Sequence, residues 1–255
     1  MTISKITQEY QLPITFLISS RPEHDITAVF SSSHLQSICT RVDLDDRFSP
    51  ESDIELYLRH EFNDIKTNHP FRRFLPPLWP SDNDIRQLVW KSSGQFIYAA
   101  TVVKYVTSSR HRPDHRFEVV LNIRPLAQSS QNPFAELDAL YTHVLSKVDD
   151  DNLSAVLRVL CFIFYSNVRN IPVQQIEQIL ELEYGQIPLA FCDLGALISI
   201  VEDPLSSDTD THLIRILHNS LRDFLCNPKR SHIFCILNEY MHKNLISCVR
   251  FLSSE

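Results

Sequence analysis

Glycine is nearly missing from this chain: 255 residues hold three, Gly94, Gly185 and Gly195. That scarcity excludes whole chemistries. A Walker A loop needs two glycines bracketing four residues, then lysine and serine or threonine; a dinucleotide fingerprint needs three glycines within one short turn. Neither spacing occurs, so the chain does not itself supply the main cradle for a phosphate. Positive charge is also short: 24 Lys and Arg stand against 31 Asp and Glu, a net charge of −7. A chain of that sign has no electrostatic footprint for nucleic acid or anionic lipid. The six cysteines form no C-x-x-C pair, and several sit inside apolar runs, as free thiols do in a reducing compartment. No basic-then-apolar leader opens the sequence. Its longest apolar run, Val159 to Tyr165, falls far short of the ~20 residues of a membrane span. The expectation is a soluble, cytoplasmic chain.

What is present reads as mainly α with a small α/β remnant. Leu12, Ile14, Phe16, Leu17 and Ile18 form a mostly apolar run, the pattern of a strand buried on both faces. Arg21 lies just past its carboxyl end, the edge where open α/β sheets bind ligands. An arginine there suits a phosphate through bidentate donation, or it is a surface arginine at a strand-to-helix turn. Glu23 to Ser31 reads as a short helix, and Ser37 to Leu44 as a second strand nearer a sheet edge. Two strands and a helix cannot stand alone, so the segment looks like entry into a sheet begun upstream, or a remnant of one.

From Asp45 the period becomes helical. Ser49-Pro50 is an N-cap with proline in the first turn, and Ile54, Tyr57, Leu58, Phe62 and Ile65 follow at helical spacing. His69 to Pro80 is a proline-rich loop. Ser81 to Asp84 opens the next helix as a capping box, and Gly94 closes it. Phe96 to Val106 is helical, Ser108 to Arg116 reads as an exposed linker, and Asn132-Pro133 starts a helix bearing Leu137, Leu140, Tyr141 and Val144. Beyond Asp149, helices are predicted at Leu153–Tyr165, at Val173–Glu183, and after Pro188 to near Ile200. Leu197–Val201 and Leu213–Leu217 flank a polar, hairpin-like tip. Three helices and a ribbon are the order of a winged helix. A short helix at Asn219–Leu225 and an amphipathic one at Ser231–Leu252 complete the chain, with no repeat of about 20–50 residues.

Several stretches together resemble the C-terminal half of the NACHT module in fungal NOD-like STAND NTPases: Phe16 to Glu23, Asp53 to Phe62, Leu88 to Ala99, Leu137 to Tyr141 and Ile216 to Leu225. The similarity rests on the ordered set and covers nearly the whole chain. It implies residues 1–44 as the end of a nucleotide-binding α/β domain, 45–147 as a helical lid-like domain, 148–226 as a winged helix, and 227–255 as the start of a further helical region. By the same resemblance Arg21 matches a sensor arginine facing the nucleotide's terminal phosphate. His218 matches a winged-helix histidine that reaches the β-phosphate of ADP. The P-loop, its lysine and the Walker B acids have no counterpart in this sequence. Asp43 to Asp46 follows residues too polar for Walker B and reads as a solvated turn. ADP or ATP is therefore expected only in an intact module, and catalysis by this chain alone is not.

Other readings fall on chemistry. His218, Ser220 and Asp223 are no hydrolytic triad, because no G-x-S-x-G elbow exists and all three sit around one short helix. His111 and His115 are separated by Pro113 and lack a third metal ligand. The helix at Val173–Glu183 has three glutamates and no basic residue, opposite in sign to what DNA phosphates require. The resulting expectation is the regulatory half of a nucleotide-dependent switch, with protein partners and self-association but neither nucleic acid nor membrane. The alternative is a helical interaction scaffold that binds no nucleotide.

Overall fold

A computed structural model describes residues 15–20, 24–32, 35, 39–42, 50–125, 134–166, 170–204 and 211–253. The chain divides into two compact units, Met1–Phe48 and Ser49–Glu255. In the first, α1 (His24–Phe30) forms where a helix is expected. The two expected strands do not form in their described portions: residues 15–20 and 39–42 carry no ladder. Leu17 is fully exposed, and Phe16 and Ile18 are more than half exposed. An apolar run becomes a strand only when neighbours supply its hydrogen bonds, and among the described residues none pairs with these segments as a ladder.

The second unit is mainly α with one small sheet. Its first helix, α2 (Pro50–Asn68), has proline in its first turn and buries Ile54, Leu58, Phe62 and Ile65. Helix α3 (Asp82–Ser92) opens with the expected capping box: the Ser81 hydroxyl accepts from Asp84 N, and the Asp84 carboxylate accepts from Ser81 N. It stops at Ser93 and Gly94, both left-handed. Glycine is suited to the second position, where a Cβ would meet the Pro50 ring at 3.3 Å. Helix α4 (Phe96–Val106) is buried along most of its length.

The predicted linker at Ser108–Arg116 is corrected: Pro113 opens α5 (Pro113–Asn122), and Pro113, Phe117 and Val120 are buried. Basic residues hid the signal, yet proline in the first turn followed by apolar spacing specifies a helix. Phe117 closes an aromatic triangle with Phe62 and Trp79, with ring centroids 5.0 to 5.5 Å apart. Helix α6 (Ala135–Leu145) packs Leu137, Leu140, Tyr141 and Val144 inward. Lys91, buried at the end of α3, donates to the Glu136 carboxylate and to the Ile123 carbonyl, each at 2.7 Å.

Helices α7 (Asp150–Tyr165), α8 (Val173–Ile179) and α9 (Gln186–Ala190) precede the ribbon of β1 (Ile198–Glu202) and β2 (His212–Ile216). The strands are antiparallel, with Ile200 opposite Ile214. Helix α8 is shorter than expected because Glu181 turns left-handed. Helix α9 also falls short of the predicted helix reaching Ile200, whose last residues belong to β1. Glu177 on α8 is buried and accepts from Gly185 N and Ile187 N, satisfying the exposed donors at the start of α9.

Helices α10 (Ser220–Leu225) and α11 (Pro228–Ser231) follow. The long final helix expected from Ser231 is interrupted by a 3-10 turn at His232–Phe234 and a left-handed Asn238, so α12 spans only Glu239–Ser253. One hydrophobic core runs from Ile54 to Ile236. No helix among the described residues is long and apolar enough to cross a membrane.

Phe62 is buried and touches both other rings of the triangle. Replacing Phe62 by alanine leaves a cavity and is expected to cost about 3–5 kcal/mol. Urea denaturation followed by circular dichroism measures it; a loss below about 1 kcal/mol contradicts this packing.

Candidate functional site

Of the two residues matched to phosphate contacts, Arg21 lies outside the described residues, and His218 is in place. His218 follows β2, where Leu217 N is still held by Leu197 O at 3.0 Å. It precedes α10, and its own carbonyl accepts from Leu221 N at 3.1 Å. The backbone is therefore pinned on both sides, by the ribbon and by the first turn of the helix. The side chain is half-buried.

Two residues on, Ser220 shares a hydrogen bond of 2.9 Å with the Tyr141 hydroxyl. Thr101 on α4 is buried and donates to the Ile97 carbonyl at 2.8 Å. Tyr141 also packs its ring on Phe224 at 5.5 Å. One phenol thus ties α6 to α10, the helix that begins two residues after His218. Next to it, Asp138 receives both Nε and Nη2 of Arg230, at 3.0 and 2.6 Å. Burial lowers the proton affinity of the His218 ring, and the Lys104 ammonium, one turn after Thr101, lowers it further. At neutral pH the ring is uncharged, with one nitrogen donating and the other accepting. An anion facing both Lys104 and His218 would reverse the second effect and favour the imidazolium.

Ser220 spends its hydroxyl on Tyr141, which leaves the rejected triad without an activated nucleophile. Sequence reasoning placed Tyr141 only in a core, weighed Ser220 only as part of a rejected triad with His218 and Asp223, and missed Lys104. The links of Tyr141 to Ser220 and of Lys104 to His218 depend on tertiary packing that no local spacing encodes. Two open concavities among the described residues lie elsewhere. One, of about 280 Å³, is lined by Trp79, Phe117 and Glu118; the other, of about 450 Å³, by Val173, Ile200 and His212. Among the described residues no group of three His, Cys, Asp or Glu is placed to hold a metal ion.

No family model matches the chain, and no curated protein or solved structure is similar to it.

Three histidines bind protons less readily in the fold than at the ordinary 6.5: His111, His143 and His218, each held down first by burial. His143 receives the Tyr105 hydroxyl at 2.9 Å, while Arg116, 4.3 Å over the Tyr105 ring, and Lys147 oppose a charge there. A lowered folded value means the unfolded chain takes up protons first. Stability is therefore full above about pH 6.5 and falls as pH drops toward the folded values. Melting temperature is expected to decline between about pH 7 and about pH 5, and His143→Gln to reduce the slope. A slope identical in the variant removes His143 from the account.

Proposed function

We propose that this chain is the regulatory and interaction half of a NACHT-type nucleotide-dependent signalling switch in the cytoplasm. In this reading ADP or ATP is held by P-loop residues outside this sequence, and the chain hydrolyses nothing on its own. Arg21 takes the role of sensing the terminal phosphate. His218 takes the role of a latch on the β-phosphate of ADP. The observation that carries the reading is the setting of His218: half-buried, pinned by backbone bonds on both sides, and within electrostatic reach of the Lys104 ammonium. A neutral donor on a pinned backbone, with an exposed lysine ammonium in electrostatic reach, suits a diphosphate. Exchange of ADP for ATP then favours a second, self-associating state, because the two nucleotides make different contacts in each.

A helical protein-interaction scaffold without nucleotide binding is the competing reading. Helix α12 favours it, because Leu245, Val249 and Leu252 on one side of that helix are more than half exposed.

Nucleotide retention separates the two. With the chain joined to a P-loop-bearing NACHT segment, calorimetry is expected to detect ADP, and His218→Ala to speed ADP release about tenfold, as loss of one hydrogen bond to a charged group does. Absence of ADP and ATP binding leaves the scaffold. An unchanged release rate with binding intact removes the latch alone.

A further inference from the structure

We propose that the open edge of β1 pairs with the same edge of a second copy of this chain, antiparallel and centred on Ile200. The proposal goes beyond the nucleotide reading and does not depend on it. The two edges of the ribbon differ. On the outer side of β2 the chain returns, with Pro172 bridged to Leu213. Among the described residues no strand or bridge lies against the outer side of β1.

The ladder shows which main-chain groups face that side. Leu217 N donates to the Leu197 carbonyl at 3.0 Å, and Asp203 N to the Thr211 carbonyl at 2.8 Å. Hydrogen-bonded pairs alternate along antiparallel strands, so the odd-numbered residues of β1 bond to β2 and the even-numbered ones turn outward. Ile198 N is taken by the Leu194 carbonyl at 3.0 Å. The Ile198 carbonyl, both groups of Ile200 and the Glu202 N–H then have no backbone partner among the described residues. Sheet edges are commonly blunted by proline, lysine, bulges or a covering segment. Strand β1 has no proline or basic residue, and its five pairs run on without a bulge. Ile198, Ile200 and Val201 are β-branched and suit a further strand.

A second copy fits because the free groups are arranged symmetrically about Ile200. With a two-fold axis there, each Ile200 N–H donates to the partner's Ile200 carbonyl. Each Glu202 N–H likewise donates to the partner's Ile198 carbonyl, so each half of the pair repeats the other. The register is single. Centring on Glu202 sets two carboxylates face to face, and centring on Ile198 meets a donor already spent on Leu194. Around Ile200 the carboxylates stand about 13 Å apart, beyond the ~8 Å Debye length at physiological salt. Ile200 also lines the concavity of about 450 Å³ with Val173 and Pro188. The partner's Ile200 then covers apolar surface at its margin.

Sedimentation velocity on the full chain, from about 1 to about 300 µM, is expected to show a monomer passing to a dimer with a midpoint on the order of 100 µM, as befits a small interface. Glu202→Pro removes an outward donor and spares every bond to β2, and is expected to weaken association at least about tenfold. Glu202→Ala keeps the N–H and is expected to associate like the unaltered chain. Hydrogen exchange at the Ile200 amide is expected to slow as concentration rises, while the Val201 amide, already bonded to β2, does not change. That measurement on the unaltered chain decides the matter even where the proline variant misfolds. The proposal is overturned by a chain that stays monomeric throughout, including one that binds an unrelated extended peptide. Equal association of the proline and alanine variants overturns it, and so does a dimer that leaves Ile200 exchange unaltered.

Discussion

A single buried phenol anchors the helix that follows His218 to α6. Tyr141 is wholly enclosed, its hydroxyl is shared with Ser220, and its ring lies on Phe224. One turn earlier on α6, Asp138 grips Arg230 through two hydrogen bonds. Each of these polar groups is costly if left unmade in the interior, so together they admit one register between α6 and the helices after the ribbon. Buried ion pairs contribute little net stability, but breaking one is expensive. Their value here is specificity of docking. His218 lies two residues before Ser220, directly ahead of the helix so anchored.

Much of the helical frame could be read directly. Local chemistry marks it: proline in the first turn at Pro50, the reciprocal Ser81–Asp84 cap, and the left-handed Gly94. The ribbon was legible because Leu197–Val201 and Leu213–Leu217 are short apolar strands around a polar tip. The opening strand misled for a different reason. An apolar run announces burial, but burial requires partners, and the described part of that run lies exposed. Helix α5 was obscured by its arginines and histidines, although Pro113 and Phe117 had the right spacing. The break before α12 rests on Asn238 turning left-handed, which asparagine tolerates but does not announce.

The site was legible in part for the same reasons. His218 could be singled out because a histidine between a strand and a short helix has a defined local setting. Lys104 comes from a helix more than a hundred residues earlier, and nothing in Phe96–Val106 distinguishes it from an ordinary exposed lysine. The Trp79 indole N–H, buried without an acceptor among the described residues, was equally hidden, since an unmet donor is visible only when its neighbours are known. Both concern polar groups whose significance is set by what surrounds them.

Helix α12 is docked with an unusual polarity. Its fully buried residues are Asn244 and Ser247, not its leucines. Arg158 on α7 reaches Asn244 Oδ1, Ser247 Oγ and the Leu180 carbonyl, and Asn244 donates back to the Arg158 carbonyl. Water can replace most of these bonds when the helix lifts away, while lifting an apolar seam would bare a sticky surface. The last helix is therefore held to α7 by a polar seam, whose strength depends on the direction of each bond rather than on the area of oil it covers.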